Sequence, residues 1–254
     1  GRPREMAINF AYARKLSENF SAALAAKYIF SNLASGQQVN GVDITSANAF
    51  AVDLSFNYSH DINLGNGDAL MRYGLAINNL GSKVTYTRNL ETRDPLPSKL
   101  GLGAALDYNI DDYNLITFAL DVSKLLVPTP TAPLDPEYDT DENDIADYRE
   151  KNLLEGVLGS FSDAPGGFSE EFQEIFYSVG AEYWYDNQFA FRTGYYFEHP
   201  RKGDRQFLTL GIGLKYNTLN MNISYLVPTT IVRSPLDNTL RFGVIFNLGD
   251  ARAE

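Results

Sequence analysis

Cysteine is absent from the 254 residues. That excludes disulfide staples, thiolate metal sites and cysteine nucleophiles. No run of about 18 apolar residues occurs either, so no helix is expected to span a bilayer. Basic charge is scarce: 21 Lys and Arg stand against 32 Asp and Glu, for a net charge of −11. A nucleic-acid binder would carry a basic patch, and none is visible. Histidine occurs only twice, as His60 and His199, and both are expected in solvated connections. With no G-x-S-x-G and no visible nucleophile–base pair, the chain is not expected to be an enzyme, and no cofactor is expected. The opening Gly1-Arg2-Pro3-Arg4-Glu5 is not a signal peptide, so an export signal would be expected upstream of it.

What the chain has is aromatic residues, 16 Tyr and 16 Phe, set into long period-two alternations. From Leu100 to Ile110, Leu100, Leu102, Ala104, Leu106, Tyr108 and Ile110 fall on one face, and Gly101, Gly103, Ala105, Asp107 and Asn109 on the other. Successive strand side chains point to opposite faces, so this is a strand with one greasy side. Phe50 to Tyr58, Phe189 to Phe197 and Leu208 to Tyr216 repeat the pattern, and about eleven such segments can be counted. They run to ~9–11 residues, the length a tilted strand needs to cross a bilayer, whereas soluble strands peak at about 5–6.

The connections sort by length. Short turns are expected at Ser17 to Asn19, His60 to Asp68, Asp111 to Asn114, Asp186-Asn187 and Asn217 to Leu219. Longer connections are expected at 31–47, 81–97, 126–173, 199–205 and 227–237. Outer-membrane barrels have short periplasmic turns and longer extracellular loops. The expected fold is therefore all-β, a transmembrane antiparallel β-barrel forming one domain over 1–254. The alternative is a soluble β-sandwich with its apolar side chains turned inward. The face opposite the apolar one favours the barrel, because it is mostly Gly, Ala, Ser and Asn, as a crowded lumen requires. Its isolated charges, Asp53, Arg72, Asp107, Asp121, Glu182, Arg192 and Lys215, are expected to line that lumen, either as ion pairs or along a permeation path. An odd strand count implies an odd number of strands upstream of Gly1, since single-chain bacterial barrels have even counts.

The longest connection, 126–173, is where contact with a partner is expected. It leaves one strand through Leu126-Val127-Pro128-Thr129-Pro130 and returns through Ser160 to Phe168. Leu126, Val127, Pro128, Pro130, Phe161, Asp163, Pro165, Gly166, Gly167 and Phe168 are the candidate contact residues, and Ile145 to Leu158 is expected to form a short helix. Asp139, Asp141, Asn143, Asp147 and Glu150 fall at EF-hand-like spacing, but Asp144 stands where that loop needs Gly, and a solvated acidic loop is the favoured reading; no metal site is assigned.

Three stretches carry a resemblance: KLLVPTP at 124–130, SFSDAPGGFSEE at 160–171, and YSVGAEYWYDNQFAFRTGYYFEHPRKGDRQFLTLGIGLKYN at 177–217, with NTLRF at 238–242 and the AYARKLSENFSAALAAKYIFSNLASGQ stretch near the start. In these the chain resembles the PorV family, also called LptO, of the Bacteroidota type IX secretion system. The resemblance implies a FadL-like barrel of about fourteen strands in the whole protein, about eleven of them here, with N-terminal strands and a plug missing. It implies a multi-pass protein of the cell outer membrane, in contact with lipid and lipopolysaccharide. It also implies a carrier that takes cargo by its C-terminal signal domain at the translocon, a SprA/Sov-type barrel, and delivers it to the PorU sortase and attachment complex. A FadL-like channel for hydrophobic solutes is the second reading. An enzyme acting on lipopolysaccharide is the weakest.

Overall fold

The structure is a computed structural model describing residues 3–34, 36–39, 41–65, 67–131, 138–231 and 236–247. Its strands are β1 (Arg4–Lys15), β2 (Phe20–Asn32), β3 (Gln38–Val39), β4 (Val42–Asp43), β5 (Ala47–Leu64), β6 (Gly67–Gly81), β7 (Lys99–Asn109), β8 (Asn114–Leu125), β9 (Ile175–Tyr185), β10 (Phe189–Phe197), β11 (Gln206–Tyr216), β12 (Leu219–Pro228) and β13 (Leu240–Phe246). Three short helices follow β8: α1 (Asp147–Glu150), α2 (Leu153–Gly159) and α3 (Phe168–Glu171). Eleven strands form one antiparallel sheet in the order β1-β2-β5-β6-β7-β8-β9-β10-β11-β12-β13, while β3 and β4 make a separate small hairpin. The expected all-β architecture and its eleven strands are thus observed, with β1 and β13 at the two ends of the sheet.

The elements follow from local chemistry. Nearly every strand of the large sheet pairs with its neighbour in sequence through a hairpin, so turn residues set the register. At 185–188, Asp186 and Asn187 take φ of 51° and 50°, and Gln188 N–H closes on the Tyr185 carbonyl at 3.0 Å. Two consecutive left-handed residues give the turn whose twist matches the flanking strands, and Asp and Asn tolerate that region best. The connection is three residues long, Asp186 to Gln188, and closes on the Tyr185↔Phe189 pair, which sets Phe191 opposite Tyr183 and Arg192 opposite Glu182.

Burial is inverted relative to a water-soluble fold. In β5, Ala47, Ala49 and Ala51 are buried while Asn48, Phe50 and Val52 between them are exposed. Across the described residues the buried side chains are mainly Ala and Ser with a few charged groups, whereas Phe10, Phe50, Phe118, Phe191, Leu210, Ile212 and Phe242 are exposed. Soluble proteins place large apolar side chains inside.

By density of internal contacts the chain divides into two units. The first comprises Gly1–Asn57, Leu75–Gly101 and Lys124–Phe172. Its small core is Ala49, Ala51 and Leu96, with Ile29 and Val84 packed against them. The second comprises Tyr58–Gly74, Leu102–Ser123 and Gln173–Glu254. It holds the regular hairpins from β9 to β13.

Several local expectations are corrected. The short turn expected over His60 to Asp68 is narrower: β5 continues to Leu64 and β6 resumes at Gly67. Polar Ser59, His60, Asp61 and Asn63 mask the alternation there, but backbone pairing does not depend on side-chain polarity. His60 is accordingly not a loop residue; its ring stacks on Tyr73 at 6.0 Å and lies 5.5 Å from Tyr58. His199 does lie in a connection, where its Nδ1 accepts the Arg201 N–H. The single helix expected over Ile145 to Leu158 is two helices. Asn152 interrupts it because its side chain accepts the Glu155 N–H while the Glu155 carboxylate accepts the Asn152 N–H, a reciprocal cap that starts a new helix. Residues 132–137 of the long connection lie outside the described residues, as does Leu248, where the alternation from Thr239 predicts the last strand to end.

Candidate functional site

In the first unit the long connection folds back on its own entry strand. Leu126, 4% exposed, and Pro128 are buried. Gly156 of α2 lies against Pro128, where an added Cβ would stand 3.1 Å from the ring. A cavity of about 200 Å³ beside this contact is lined by Ser98, Leu126, Pro128, Lys151, Leu153 and Gly156. Asp163 ties the two ends of the connection together: its carboxylate accepts the Thr129 N–H at 3.0 Å and the Thr129 hydroxyl at 2.9 Å. Lys151 stands 3.8 Å from the same carboxylate.

A second latch lies deeper. Lys124 Nζ and Glu171 Oε2 are 3.0 Å apart, with side chains only 9% and 8% exposed. The other Glu171 oxygen accepts the Ala164 N–H at 2.8 Å. Gly166 N–H donates to Glu170 at 2.7 Å, and Gly167 takes φ of 65° to enter α3. Any side chain at Gly166 would meet Glu170, and a Cβ at Gly167 would strain the backbone. The Pro165-Gly166-Gly167-Phe168 return is therefore a built turn.

The candidate contact residues thus separate by exposure. Leu126 and Pro128, expected to offer surface, are inside and hold the connection in place. Val127 and Asp163 are half-buried, and Asp163 is spent on Thr129. Pro130, Phe161, Pro165, Gly166, Gly167 and Phe168 are exposed. Sequence reasoning missed Leu154, Leu158 and Phe172, which are also exposed on this connection. The i, i+4 spacing of Leu154 and Leu158 in a capped helix was the signal for them. It also missed Lys124 and Glu171, whose pairing joins positions too far apart in sequence to be read without the fold.

The acidic segment is folded on itself. Asp139 accepts the N–H groups of Asn143 and Asp144, and Asn143 bridges Asp141 and Glu150 with its amide. Asp144 takes φ of 66°, making without glycine the turn for which the spacing seemed to demand one. Ligand-capable oxygens of Asp139, Asp141 and Asp147 lie within 4.8 Å of one another. Desolvation raises the Asp141 carboxyl above its ordinary value, and Glu150 and Asp139 add to it. The Thr140 hydroxyl and N–H hold Asp147 below its ordinary value.

The residues expected in a lumen lie on the polar face of the sheet, several of them in ion pairs. In the first unit Lys27 Nζ is 2.6 Å from Asp53 and 2.8 Å from the Asn79 side chain, while Asp53 also accepts the Asn79 N–H. In the second unit Arg72 meets Asp107 at 2.7 Å, and Thr117 donates to the same carboxylate. Asp121 is exposed opposite Gly103, where a Cβ would stand 3.2 Å from its carboxylate. Arg192 pairs with Glu182, lies over the Trp184 ring, and reaches Asn222 at 2.6 Å. Gly213 leaves room for that reach, since a Cβ there would sit 2.8 Å from the guanidinium. Lys215 is half-buried at the end of β11. A further buried carboxylate, Glu198, was not foreseen; Arg205 and the Tyr196 hydroxyl close on it in the β10–β11 connection.

These observations define a class: an all-β chain with an eleven-stranded antiparallel sheet, apolar on its exposed face and small, polar and ion-paired on the other. The family described as "Type IX secretion system protein PorV" matches residues 1–132, about half of the chain, and the chain belongs to that family. The match ends before the acidic segment and α1 to α3. No curated protein matches the chain. Among solved structures, the outer membrane phospholipase A of Escherichia coli is similar at 12% identity and a TM-score of 0.37, over 95% of this chain and 76% of that one.

Proposed function

We infer that this protein is a non-enzymatic, multi-pass β-barrel of the outer membrane. In that reading it binds secreted cargo by the C-terminal signal domain at the translocon and passes it to the sortase and attachment complex at the cell surface. Membership of the PorV family supports a place in type IX secretion. The observation that carries the membrane reading is the inverted burial. Phe50, between buried Ala49 and Ala51, and Val52 after them are exposed in β5, and Phe191, Leu210 and Ile212 are exposed across β10 and β11. Such a surface is costly in water and favourable in hydrocarbon, while the ladder of backbone bonds between strands satisfies the peptide groups. Strands of 9 to 18 residues from β5 to β12 are long enough to cross.

The carrier role rests on the long connection. It is latched at both ends by Asp163 and by the Lys124–Glu171 pair, and it presents exposed Leu and Phe side chains from short helices. Exposed apolar side chains on a latched connection suit docking. The test is recovery of the full-length protein from detergent-solubilised outer membrane, followed by identification of what co-purifies. Translocon, attachment components or signal-domain cargo are expected, and deletion of residues 160–168 is expected to abolish surface display of cargo. Preserved display with lost uptake of a hydrophobic solute would instead point to a FadL-like channel.

A further inference from the structure

The exposed apolar side chains of the long connection lie in an acidic stretch of the sequence. Leu154 and Leu158 of α2 are 71% and 72% exposed, Phe161 follows the helix, and Phe168, 75% exposed, meets Phe172 edge-on at 4.8 Å. Between residues 138 and 174 there are eleven Asp and Glu against two basic residues; from other segments Lys124 pairs with Glu171, Lys202 with Glu174, and Lys83 lies near Glu150 and Glu155, which leaves the stretch acidic. Both basic side chains are already engaged, Arg149 with Asp94 at 2.9 Å and Lys151 near Asp163. Asp141, Glu142, Asp144, Glu150 and Glu155 are exposed.

Side chains this apolar need a cover, and charge decides between the two available. Burial in the membrane surface would bring the carboxylates against anionic lipid headgroups, which repel them. A protein surface with an apolar recess rimmed by Lys and Arg would gain on both counts, since complementary rims speed encounter and buried apolar anchors hold the complex. We propose that Leu154, Leu158, Phe161, Phe168 and Phe172 form the anchor of a docking surface for a partner protein whose apolar recess is bordered by basic residues. The exposed acids from Asp141 to Glu155 supply its electrostatic rim. This rests on the reading that the connection lies at the cell surface, and it specifies the chemistry of what binds there.

The test places a photo-reactive amino acid at position 158 or 168 of the full-length protein in its native outer membrane. The rim is separately neutralised by E142Q/D144N/E150Q/E155Q, in which the side-chain amide introduced at position 155 keeps the reciprocal cap with Asn152. The expected result is a protein adduct whose cross-linked peptide lies beside Lys or Arg, with a yield about five-fold lower in the neutralised variant or at high salt. Unchanged amounts of heat-modifiable barrel show that the variant is folded. No adduct, an adduct with lipid alone, a cross-linked peptide without neighbouring Lys or Arg, or a yield indifferent to the charge variant would each overturn the proposal. The identity of the adduct tests the function separately. A basic-rimmed partner unrelated to secretion would leave this surface standing and remove the carrier reading.

Discussion

Replacing Glu171 by alanine should unlatch the return of the long connection while leaving the sheet intact. The substitution removes the partner 3.0 Å from Lys124, a side chain only 9% exposed, and also the acceptor of the Ala164 N–H. Breaking one side of a buried ion pair costs about 3–5 kcal/mol, because the remaining charge stays desolvated. The K124M/E171M double variant removes both charges. What remains includes the unsatisfied Ala164 N–H, at about 1–3 kcal/mol, and the loss of a further interaction of Lys124. The single variant should therefore be the worse by about 2 kcal/mol, or roughly thirty-fold in local opening. Hydrogen exchange of the amides from Ala164 to Phe168, in full-length protein held in nanodiscs, reads this directly. Strand amides in β9 to β12 should keep wild-type protection in both variants. Equal exchange at Ala164 in the single and double variants would show that the pair is not a latch.

Three further outcomes follow from the same geometry. Leu210→Arg, on the exposed face of β11, should cost about 2–4 kcal/mol if that face meets hydrocarbon. Heat-modifiable barrel should then be lost with Leu210→Arg and retained with Leu154→Arg; equal assembly of the two would refute a lipid-facing β11. Asp163→Ala removes two bonds to Thr129, worth about 3–6 kcal/mol together for a charged acceptor. Protease should then cut between residues 138 and 160 faster than in wild type, and an unchanged rate would count against the tie. In the acidic segment the two perturbed carboxyls act in opposite directions. Asp141, raised in the folded loop, penalises it above that pKa, and the penalty lifts as pH falls; Asp147, lowered, stabilises the loop above its unfolded pKa, and this is lost as pH falls through the folded one. Asp141→Asn should therefore slow exchange of the 139–150 amides at neutral pH and do nothing in acid, whereas faster exchange at neutral pH would reverse the assignment.

The alternation of Phe50, Val52 and Leu54 with Ala51, Asp53 and Ser55 already determines that β5 has one apolar and one small, polar face, because side-chain direction in a strand depends only on position parity. Hairpin register was not legible to the residue: a two-residue turn at Asp186-Asn187 would set Arg192 opposite Ala181, and the three-residue connection Asp186 to Gln188 sets it opposite Glu182. Parity also assigned Asp53, Asp107 and Arg192 to one face. It could not name Lys27 as the partner of Asp53, or reveal that the space beside Gly213 is what lets Arg192 reach Asn222. Those contacts need the strands assembled. The long connection was legible only as a connection. Whether Leu126 faces solvent or the interior depends on where Gly156 packs, and whether Glu171 is a surface acid or a buried latch depends on Lys124, 47 residues away in sequence. Local chemistry settles strands and turns because their determinants lie within a few residues. Which apolar side chains the long connection exposes was decided by the tertiary structure, because burying Leu126 and Pro128 while leaving Leu154, Leu158 and Phe168 outside is a choice that only long-range packing makes.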